Sequence, residues 1–374
     1  MRRMLLILLL CCPFAAVQAQ LSKSETKQFL RMLQAAPTFG AVMDSLGERD
    51  YALDSAAIPF VREALWQRLL DDQRRNPEPK MAFEAGKITY GDWKVGQMSV
   101  VVKGERPMDG YPVYLALHGG GGGPAEMNDE QWQQMQRYYL GSIDTGIYIA
   151  PRGPNNTWNL HFDKDAEAFY SLVLQQTRLY AGADPNRIYL LGYSAGGDGV
   201  YQLAPRMASE LAAASMSAGH HNGVVPANLE HVPMLLQVGE LDDAYDRNKE
   251  TVRFSCALDT LAKLHPGNFV HQLYVHAGAE HSYVTDRRGP DFQANVLQDP
   301  IQWLQKPSAA KVTTAATDAP TWLKQFRRNP FPKHLRWDYY MFREGNDDYF
   351  WISYAGARLK MNGLAGYQDV EAFP

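Results

Sequence analysis

Cysteine is scarce in this sequence. Only three of the 374 residues are cysteine, and two of them, Cys11 and Cys12, lie within an apolar N-terminal leader. Cys256 alone would remain in a mature chain, so no intramolecular disulfide is expected and a small disulfide-stapled fold is excluded. Because the stretch around Cys256 has the apolar spacing of an amphipathic helix, we interpret this thiol as a buried structural residue.

An excess of positive charge and metal-binding motifs are also lacking. The formal net charge is −4 and there is no basic stripe, so nucleic acid is not an expected partner. The sequence has no H-E-x-x-H pattern and no calcium-loop spacing, so no metal is predicted. The glycine run Gly119–Gly123 lacks the lysine of a phosphate-binding loop. We therefore expect no cofactor.

The first residues have the three parts of a secretory signal. These are Arg2 and Arg3, the apolar run 4–10, and small residues at the exit 17–19. The apolar run is shorter than the roughly 20 residues of a transmembrane helix. We expect a signal peptide over 1–19, cleavage after Ala19, and export to the periplasm or the extracellular space.

Three further segments precede the C-terminal region. Residues 20–84 carry apolar residues at helical spacing and predict an N-terminal helical extension. Residues 85–306 alternate strand and helix patterns, and we expect them to form the catalytic domain. Residues 307–320 are small, polar and bounded by proline, which indicates a linker.

The C-terminal region, residues 321–374, is rich in aromatic residues. The runs 335–342 and 349–354 predict a small β-hairpin. So many aromatic side chains are unlike a free tail, and we expect them to pack on the core. They are Trp322, Phe326, Phe331, Trp337, Tyr339, Tyr340, Phe350, Trp351 and Tyr354.

Eight short apolar runs are spaced along the predicted catalytic domain. Helical stretches separate most of them, a pattern typical of an α/β fold with a mostly parallel sheet covered on both faces. The predicted strands are 87–90, 97–102, 113–117, 147–150, 188–191, 213–217, 234–238 and 269–275.

A serine within a glycine cluster follows the strand 188–191. The residues Gly192-Tyr193-Ser194-Ala195-Gly196 match the G-x-S-x-G pattern of a nucleophile elbow, a sharp strand-to-helix turn that needs small neighbours. Glycine costs backbone entropy where it is not required, so the cluster indicates tight backbone geometry. Ser194 is the predicted nucleophile, and a plain glycine-rich loop is the alternative.

A serine nucleophile needs a base and a carboxylate that orients the base. In the elbow arrangement the acid follows the serine, and the histidine follows the acid. The strand 234–238 leads into Glu240, Asp242 and Asp243. Asp242 is the preferred acid. The other two stay alternatives, because one residue of loop conformation decides which carboxylate faces inward.

The base is expected in the loop after the last predicted strand, 269–275. His281 lies in that loop and is the predicted base. His276 ends the strand, which suits a structural histidine, and His271 lies within it.

Backbone amides are expected to stabilise the oxyanion of the tetrahedral intermediate. One donor is the amide of Ala195, directly after the nucleophile. The other is expected in the glycine run after the strand 113–117, from Gly120 or Gly121. Converging amides explain such a run, since each donor contributes ~3–4 kcal/mol to the transition state.

In combination, these motifs resemble the α/β-hydrolase superfamily. Asp184–Tyr189 leading into Gly192–Gly197 is similar to the branch of esterase D, polyhydroxybutyrate depolymerases and feruloyl esterases. The resemblance covers the predicted catalytic domain. It implies an α/β-hydrolase fold with a mostly parallel eight-stranded sheet, and a triad of Ser194, His281 and Asp242.

The segment 150–162 also resembles exported bacterial hydrolase-like proteins. It follows a strand at its carboxyl end, where ligands lie in open α/β sheets. Arg152 would suit an anionic substrate; the alternative for this segment is a pinned loop without ligand contact. The expected substrate-binding side chains are His118, Arg152, Trp158, His161, Tyr193 and His220.

We therefore expect a secreted serine hydrolase that cleaves a small-molecule or polymer-linked carboxylic ester through an acyl-enzyme. A serine peptidase on the same fold is one alternative, and a non-catalytic carbohydrate- or surface-binding protein with a decayed core is another. Candidates for every triad role favour the enzyme. Esters demand less protonation of the leaving group than peptides do, which favours the esterase.

Overall fold

The computed structural model describes residues 23–35, 37–38, 41, 58–282, 284–287, 294–315, 317–338, 348–350, 352–353 and 369–372. The expected signal peptide, 1–19, lies outside the described residues. Within the ranges given, no helix has the length and apolarity needed to cross a bilayer.

Three helices lie in the segment expected to be an N-terminal helical extension. They are α1 (Lys23–Ala35), α2 (Ile58–Arg75) and α3 (Glu78–Glu84). Phe29 of α1 and Val61 of α2 are buried. Phe83 of α3 belongs to the main hydrophobic core, where its ring lies 5.6 Å from that of Tyr180.

A ten-stranded mixed sheet forms the centre of the molecule. Its order is β1-β2-β4-β3-β5-β6-β7-β8-β9-β10. The strands are β1 (Lys87–Tyr90), β2 (Lys94–Lys103), β3 (Tyr111–Leu117), β4 (Gly146–Pro151), β5 (Ala183–Tyr193), β6 (Ala213–Ser217), β7 (Met234–Gly239), β8 (His271–His276), β9 (Ala294–Leu297) and β10 (Val312–Ala315).

The middle of the sheet is parallel and its edges are antiparallel. Strands β3 to β8 pair in parallel, whereas β2 runs antiparallel to β1 and β4, and β9 runs antiparallel to β8 and β10. The first eight strands correspond to the eight predicted runs. Their order and directions are those of the α/β-hydrolase fold, so the predicted fold class is confirmed.

Helices cover both faces of this sheet. Along β3, Val113, Leu115 and Leu117 join one apolar cluster, while Tyr114 and Ala116 join the other, as the two-residue period of a strand requires. One face is covered by α5 (Lys164–Tyr180), α6 (Ala195–Arg206) and α7 (Arg247–Leu264). The other face is covered by α4 (Ala125–Tyr138) and α9 (Ala319–Leu323). Helix α8 (Pro300–Gln305) follows β9 in the chain.

The segment expected to be a linker, 307–320, differs from the prediction. Val312–Ala315 is strand β10 and pairs with β9. Asp318 then caps α9 by accepting a hydrogen bond from the amide of Thr321 at 2.9 Å. Small β-branched residues such as Thr313 fit an edge strand, although their polarity resembles that of a linker.

The C-terminal strands also pair differently from the predicted hairpin. Strand β11 (Leu335–Asp338) pairs with β14 (Asp369–Ala372), and β12 (Asp348–Tyr349) pairs with β13 (Ile352–Ser353). The rings of Trp337 and Tyr349 stack at 5.4 Å in the main core. Of the nine aromatic residues named above, Tyr339, Tyr340, Trp351 and Tyr354 lie outside the described residues.

Candidate active site

Ser194 lies on a strained turn between β5 and α6. Its backbone angles are φ +57° and ψ −120°, a conformation that costs about 1–3 kcal/mol in a residue other than glycine. The flanking glycines are required by close backbone approach. A Cβ on Gly192 would lie 2.1 Å from the carbonyl oxygen of Gly196, and one on Gly196 would lie 2.1 Å from that of Leu117. This is the geometry of a nucleophile elbow.

The structure brings the three predicted triad side chains together. Ser194 Oγ lies 2.9 Å from His281 Nε2, and His281 Nδ1 lies 2.8 Å from Asp242 Oδ2. Asp242 is buried, and the His281 side chain is 35% exposed. With Nδ1–H donating to Asp242, Nε2 is the nitrogen that can accept the serine proton.

The two other carboxylates near the acid position point elsewhere. Glu240 Oε2 accepts a hydrogen bond from the amide of Gly278 at 2.9 Å, and Asp243 is exposed. Arg247, which the sequence analysis missed, lies with its Nη1 3.5 Å from Asp242 Oδ1. Arg247 is the first residue of α7 and closely follows the acidic turn. This closeness in the sequence could have indicated an ion pair with Asp242.

The alternative histidines of β8 lie outside the triad. The ring of His276 is buried, and its Nε2 lies 3.1 Å from Gln237 Oε1. Burial lowers the pKa of His276 to about 4. His271 Nδ1 contacts the carbonyl oxygen of Phe269 at 2.9 Å. Both side chains therefore make contacts within the fold, as expected for structural histidines.

The two glycines expected to donate to an oxyanion differ in their contacts. The amide of Gly121 donates to Asn128 Oδ1 at 2.9 Å, so it is already occupied. Gly120 has φ +105° and is the other expected donor. Ala195 begins α6, and a first-turn amide has no acceptor within its own helix.

Asn128 holds the glycine loop and was missed by the sequence analysis. Its side chain is fully buried in α4, and its Nδ2 donates to Gly121 O at 3.0 Å and to Asn156 Oδ1 at 3.2 Å. A Cβ on Gly120 would lie 2.3 Å from Asn128 Oδ1. Glycine at this position therefore makes room for the asparagine.

His118 and His161, expected to bind substrate, are instead buried within the fold. His118 Nδ1 contacts Gly119 O at 2.5 Å, and its Nε2 accepts from the amide of Gly153 at 2.9 Å. His161 Nε2 lies 2.8 Å from His118 O, and its Nδ1 lies 2.6 Å from Tyr170 Oη. Burial lowers the pKa of His118 to about 4 and that of His161 well below its usual range. Neither ring has a nitrogen left for a substrate.

Arg152 is also used inside the protein. Its Nε donates to Asp129 Oδ1 at 2.7 Å, and its Nη1 donates to the carbonyl oxygens of Gly153 and Asn155. These contacts favour the second alternative for this segment, a loop that Arg152 pins within the protein, over a site for an anionic substrate. Trp158, by contrast, is 59% exposed, and its backbone lies beside the glycine loop.

Tyr193 and His220, also expected to bind substrate, make contacts within the protein. Tyr193 Oη donates to the carbonyl oxygen of His281 at 2.8 Å, so its hydroxyl holds the base loop rather than facing a substrate. The amide of His220 donates to Asp198 Oδ1 at 2.7 Å. Burial raises the pKa of Asp198, and the ring of His220 stacks on that of His221 at 5.2 Å.

Metal ligands are not clustered in this part of the molecule. Among the residues that the structure describes, no group of three or more His, Cys, Asp or Glu side chains could hold a metal ion.

Comparison with known proteins finds esterases and related hydrolases. No family model matches the chain. Over 112 residues it is 28% identical to a bifunctional acetylxylan esterase/xylanase of Neocallimastix patriciarum, a match that covers 29% of this chain and 16% of that protein. The chain thus spans less than a fifth of the curated relative's length.

Solved structures include a thermostable esterase, with a TM-score of 0.42 and 21% identity over 65% of this chain and 62% of the other. A poly(3-hydroxybutyrate) depolymerase from Bordetella parapertussis has a TM-score of 0.37 and 19% identity over 50% of this chain and 79% of the other. The resemblance to the α/β-hydrolase superfamily is confirmed at the level of the fold, by the strand order and the elbow described above.

Proposed function

We propose that this protein is an exported serine hydrolase that cleaves carboxylic esters through an acyl-enzyme. The main support is the hydrogen-bonded series in which Ser194 Oγ lies 2.9 Å from His281 Nε2, and His281 Nδ1 lies 2.8 Å from Asp242. A serine beside a histidine that a buried carboxylate orients is the arrangement that nucleophilic catalysis needs.

In the proposed acylation step, Ser194 Oγ attacks the ester carbonyl carbon while His281 Nε2 takes the serine proton. The carbonyl electron pair moves to oxygen, which the amides of Ala195 and Gly120 stabilise. Collapse of the tetrahedral intermediate breaks the bond to the alcohol oxygen, and His281 gives its proton to that oxygen. Asp242 orients the ring and stabilises the imidazolium.

Deacylation repeats these steps with water as the nucleophile. His281 takes a proton from water, the hydroxyl oxygen bonds to the acyl carbon, and the proton passes to Ser194 Oγ as the carboxylic acid leaves.

Two further features support the ester substrate and the export. The 112 residues similar to the acetylxylan esterase/xylanase favour an ester over a peptide. Export is proposed from the leader pattern of residues 1–19. Trp158 is the side chain that we propose contacts the substrate, because it is exposed beside the glycine loop.

A fluorophosphonate probe tests the nucleophile directly. We expect wild-type protein to be labelled and Ser194→Ala to be unlabelled. The matched control Ser209→Ala, in the turn after α6, should be labelled like wild type. Circular dichroism checks that all three are folded. Folded wild-type protein that takes no label would contradict the enzyme and favour the binding protein.

A substrate panel then tests the reaction class. We expect hydrolysis of p-nitrophenyl esters, or of acetyl and feruloyl esters on polysaccharides, to disappear in Ser194→Ala. Labelled protein that cleaves peptide amides but none of these esters would replace the esterase by the peptidase.

A further inference from the structure

The position of the base depends on contacts outside the triad. His281 lies in the loop after β8, and its ring nitrogens contact Asp242 and Ser194. Those contacts orient the ring, but they do not fix the loop backbone. Two side chains, those of Tyr193 and Asp286, tie the segment after His281 to its surroundings.

The first is Tyr193, the residue directly before the nucleophile. Its hydroxyl donates to His281 O at 2.8 Å and accepts from the amide of Val284 at 3.3 Å. Its ring also meets that of His281 edge to face, at 6.3 Å and 72°. One side chain therefore connects the turn that carries Ser194 to the loop that carries His281.

The second group is the carboxylate of Asp286, which is fully buried. Its oxygens accept hydrogen bonds from the hydroxyls of Tyr138 at 2.9 Å and Tyr139 at 2.6 Å. Arg287 lies over the ring of Tyr138, 3.7 Å from its centroid. An apolar residue could fill this volume without the desolvation cost of a carboxylate, whereas the two hydrogen bonds to tyrosine hydroxyls specify where Asp286 docks.

Helix α4 connects these contacts to the glycine loop, Gly119–Gly123. Tyr138, at its end, packs edge to face on Tyr193 at 5.6 Å, while Asn128, in its first turns, holds Gly121. The same helix thus supports the loops on both sides of Ser194.

We propose that Tyr193 and Asp286 are positioning residues that set the distance between His281 Nε2 and Ser194 Oγ. The inference rests on the proposed function, because it concerns the base of the same site. A displacement of about 1 Å in a catalytic group can cost about 10²-fold in rate.

The test compares two tyrosines of strand β5. Tyr193→Phe removes the hydroxyl that holds the base loop. Tyr189→Phe is the matched control, because Tyr189 Oη donates to the carbonyl oxygen of Phe326 at 2.8 Å, away from the site. The rate constant of fluorophosphonate labelling is measured for each variant, with kcat and KM for any ester that the wild type hydrolyses.

We expect labelling and kcat to fall about 10²-fold in Tyr193→Phe, with KM little changed, and to stay within about twofold of wild type in Tyr189→Phe. The proton NMR signal of the His281 Nδ1–H that faces Asp242 should shift or broaden only in Tyr193→Phe. Asp286→Asn is the second variant and should behave as Tyr193→Phe does.

Equal labelling rates in the two tyrosine variants, or equal losses with an unchanged NMR signal, would overturn the proposal. The NMR signal is read on resting protein and requires no substrate. A wild type that shows this signal but neither takes the probe nor turns over an ester refutes the proposed function alone.

Discussion

The histidines of this protein divide by what their ring nitrogens contact. His118, His161 and His276 are buried and bonded within the fold. His281 alone of these four presents a nitrogen to a serine hydroxyl. His118 accepts from Gly153, 35 positions away, and the sequence does not encode such a contact locally. The motif spacing therefore predicted His281 and Asp242 but assigned His118 and His161 to the substrate.

The choice of acid is a residue-scale prediction. We expect Asp242→Asn to lower kcat by roughly 10⁴-fold, because an amide facing Nδ1 favours the wrong histidine tautomer. Asp243→Asn is the matched control and should change kcat little, since Asp243 is exposed. Steady-state hydrolysis of an active ester measures both, with circular dichroism to check folding. The reverse ranking would move the role to Asp243.

At the scale of elements, the apolar strands were predicted from the sequence, whereas the polar helix α4 was not. Strands β3, β4 and β7 are buried on both faces and are mostly apolar in sequence, although β7 includes Gln237. Helix α4 has few apolar residues, and its buried positions are Asn128 and Met135, so its sequence offers little apolar pattern to identify it. Helix α4, which contacts the glycine loop through Asn128 and contacts Tyr193 and Asp286 through Tyr138, was therefore not predicted.

Asn128 provides the test of that helix. Asn128→Ala removes the acceptor of the Gly121 amide and the donor to Gly121 O. We expect kcat to fall about 10²-fold, because the glycine loop loses both hydrogen bonds to Asn128. Asn228→Ala is the matched control: Asn228 is equally buried and bonds Asp338 at 2.7 and 2.9 Å. It should lower stability and leave kcat near wild type. Equal kcat losses would show that destabilisation alone explains the effect.

At the scale of the whole molecule, buried polar groups join segments that lie far apart in the chain. Asn228 bonds both backbone groups of Asp338, and the buried carboxylate of Glu230 lies 2.9 Å from His334 Nδ1. Each pair is separated by more than 100 residues. Apolar patterning carries no information about such pairing, which explains why strand β11 was assigned the wrong partner.

Buried neutral histidines also link the stability of the molecule to pH. A histidine with a pKa of about 4 in the folded protein, as for His118 and His276, has one near ~6.5 when unfolded. Between these values the unfolded chain binds more protons, so the free energy of unfolding falls as pH falls from about 6.5 to about 4. Burial raises the pKa of Asp198 and Asp286, and such carboxyls act in the opposite direction.

His276→Gln isolates one contribution to this pH dependence. Glutamine can keep a polar contact to Gln237 but does not titrate, and the two carboxyls contribute equally to both proteins. We expect the loss of unfolding free energy between pH 7.5 and pH 5 to be smaller in the variant by about 2 kcal/mol, with urea denaturation as the measurement. Ester turnover at pH 8 should stay near wild type, whereas His281→Gln should abolish it. An unchanged pH dependence would show that His276 is not a neutral buried group, and lost turnover in His276→Gln would reopen the choice of base.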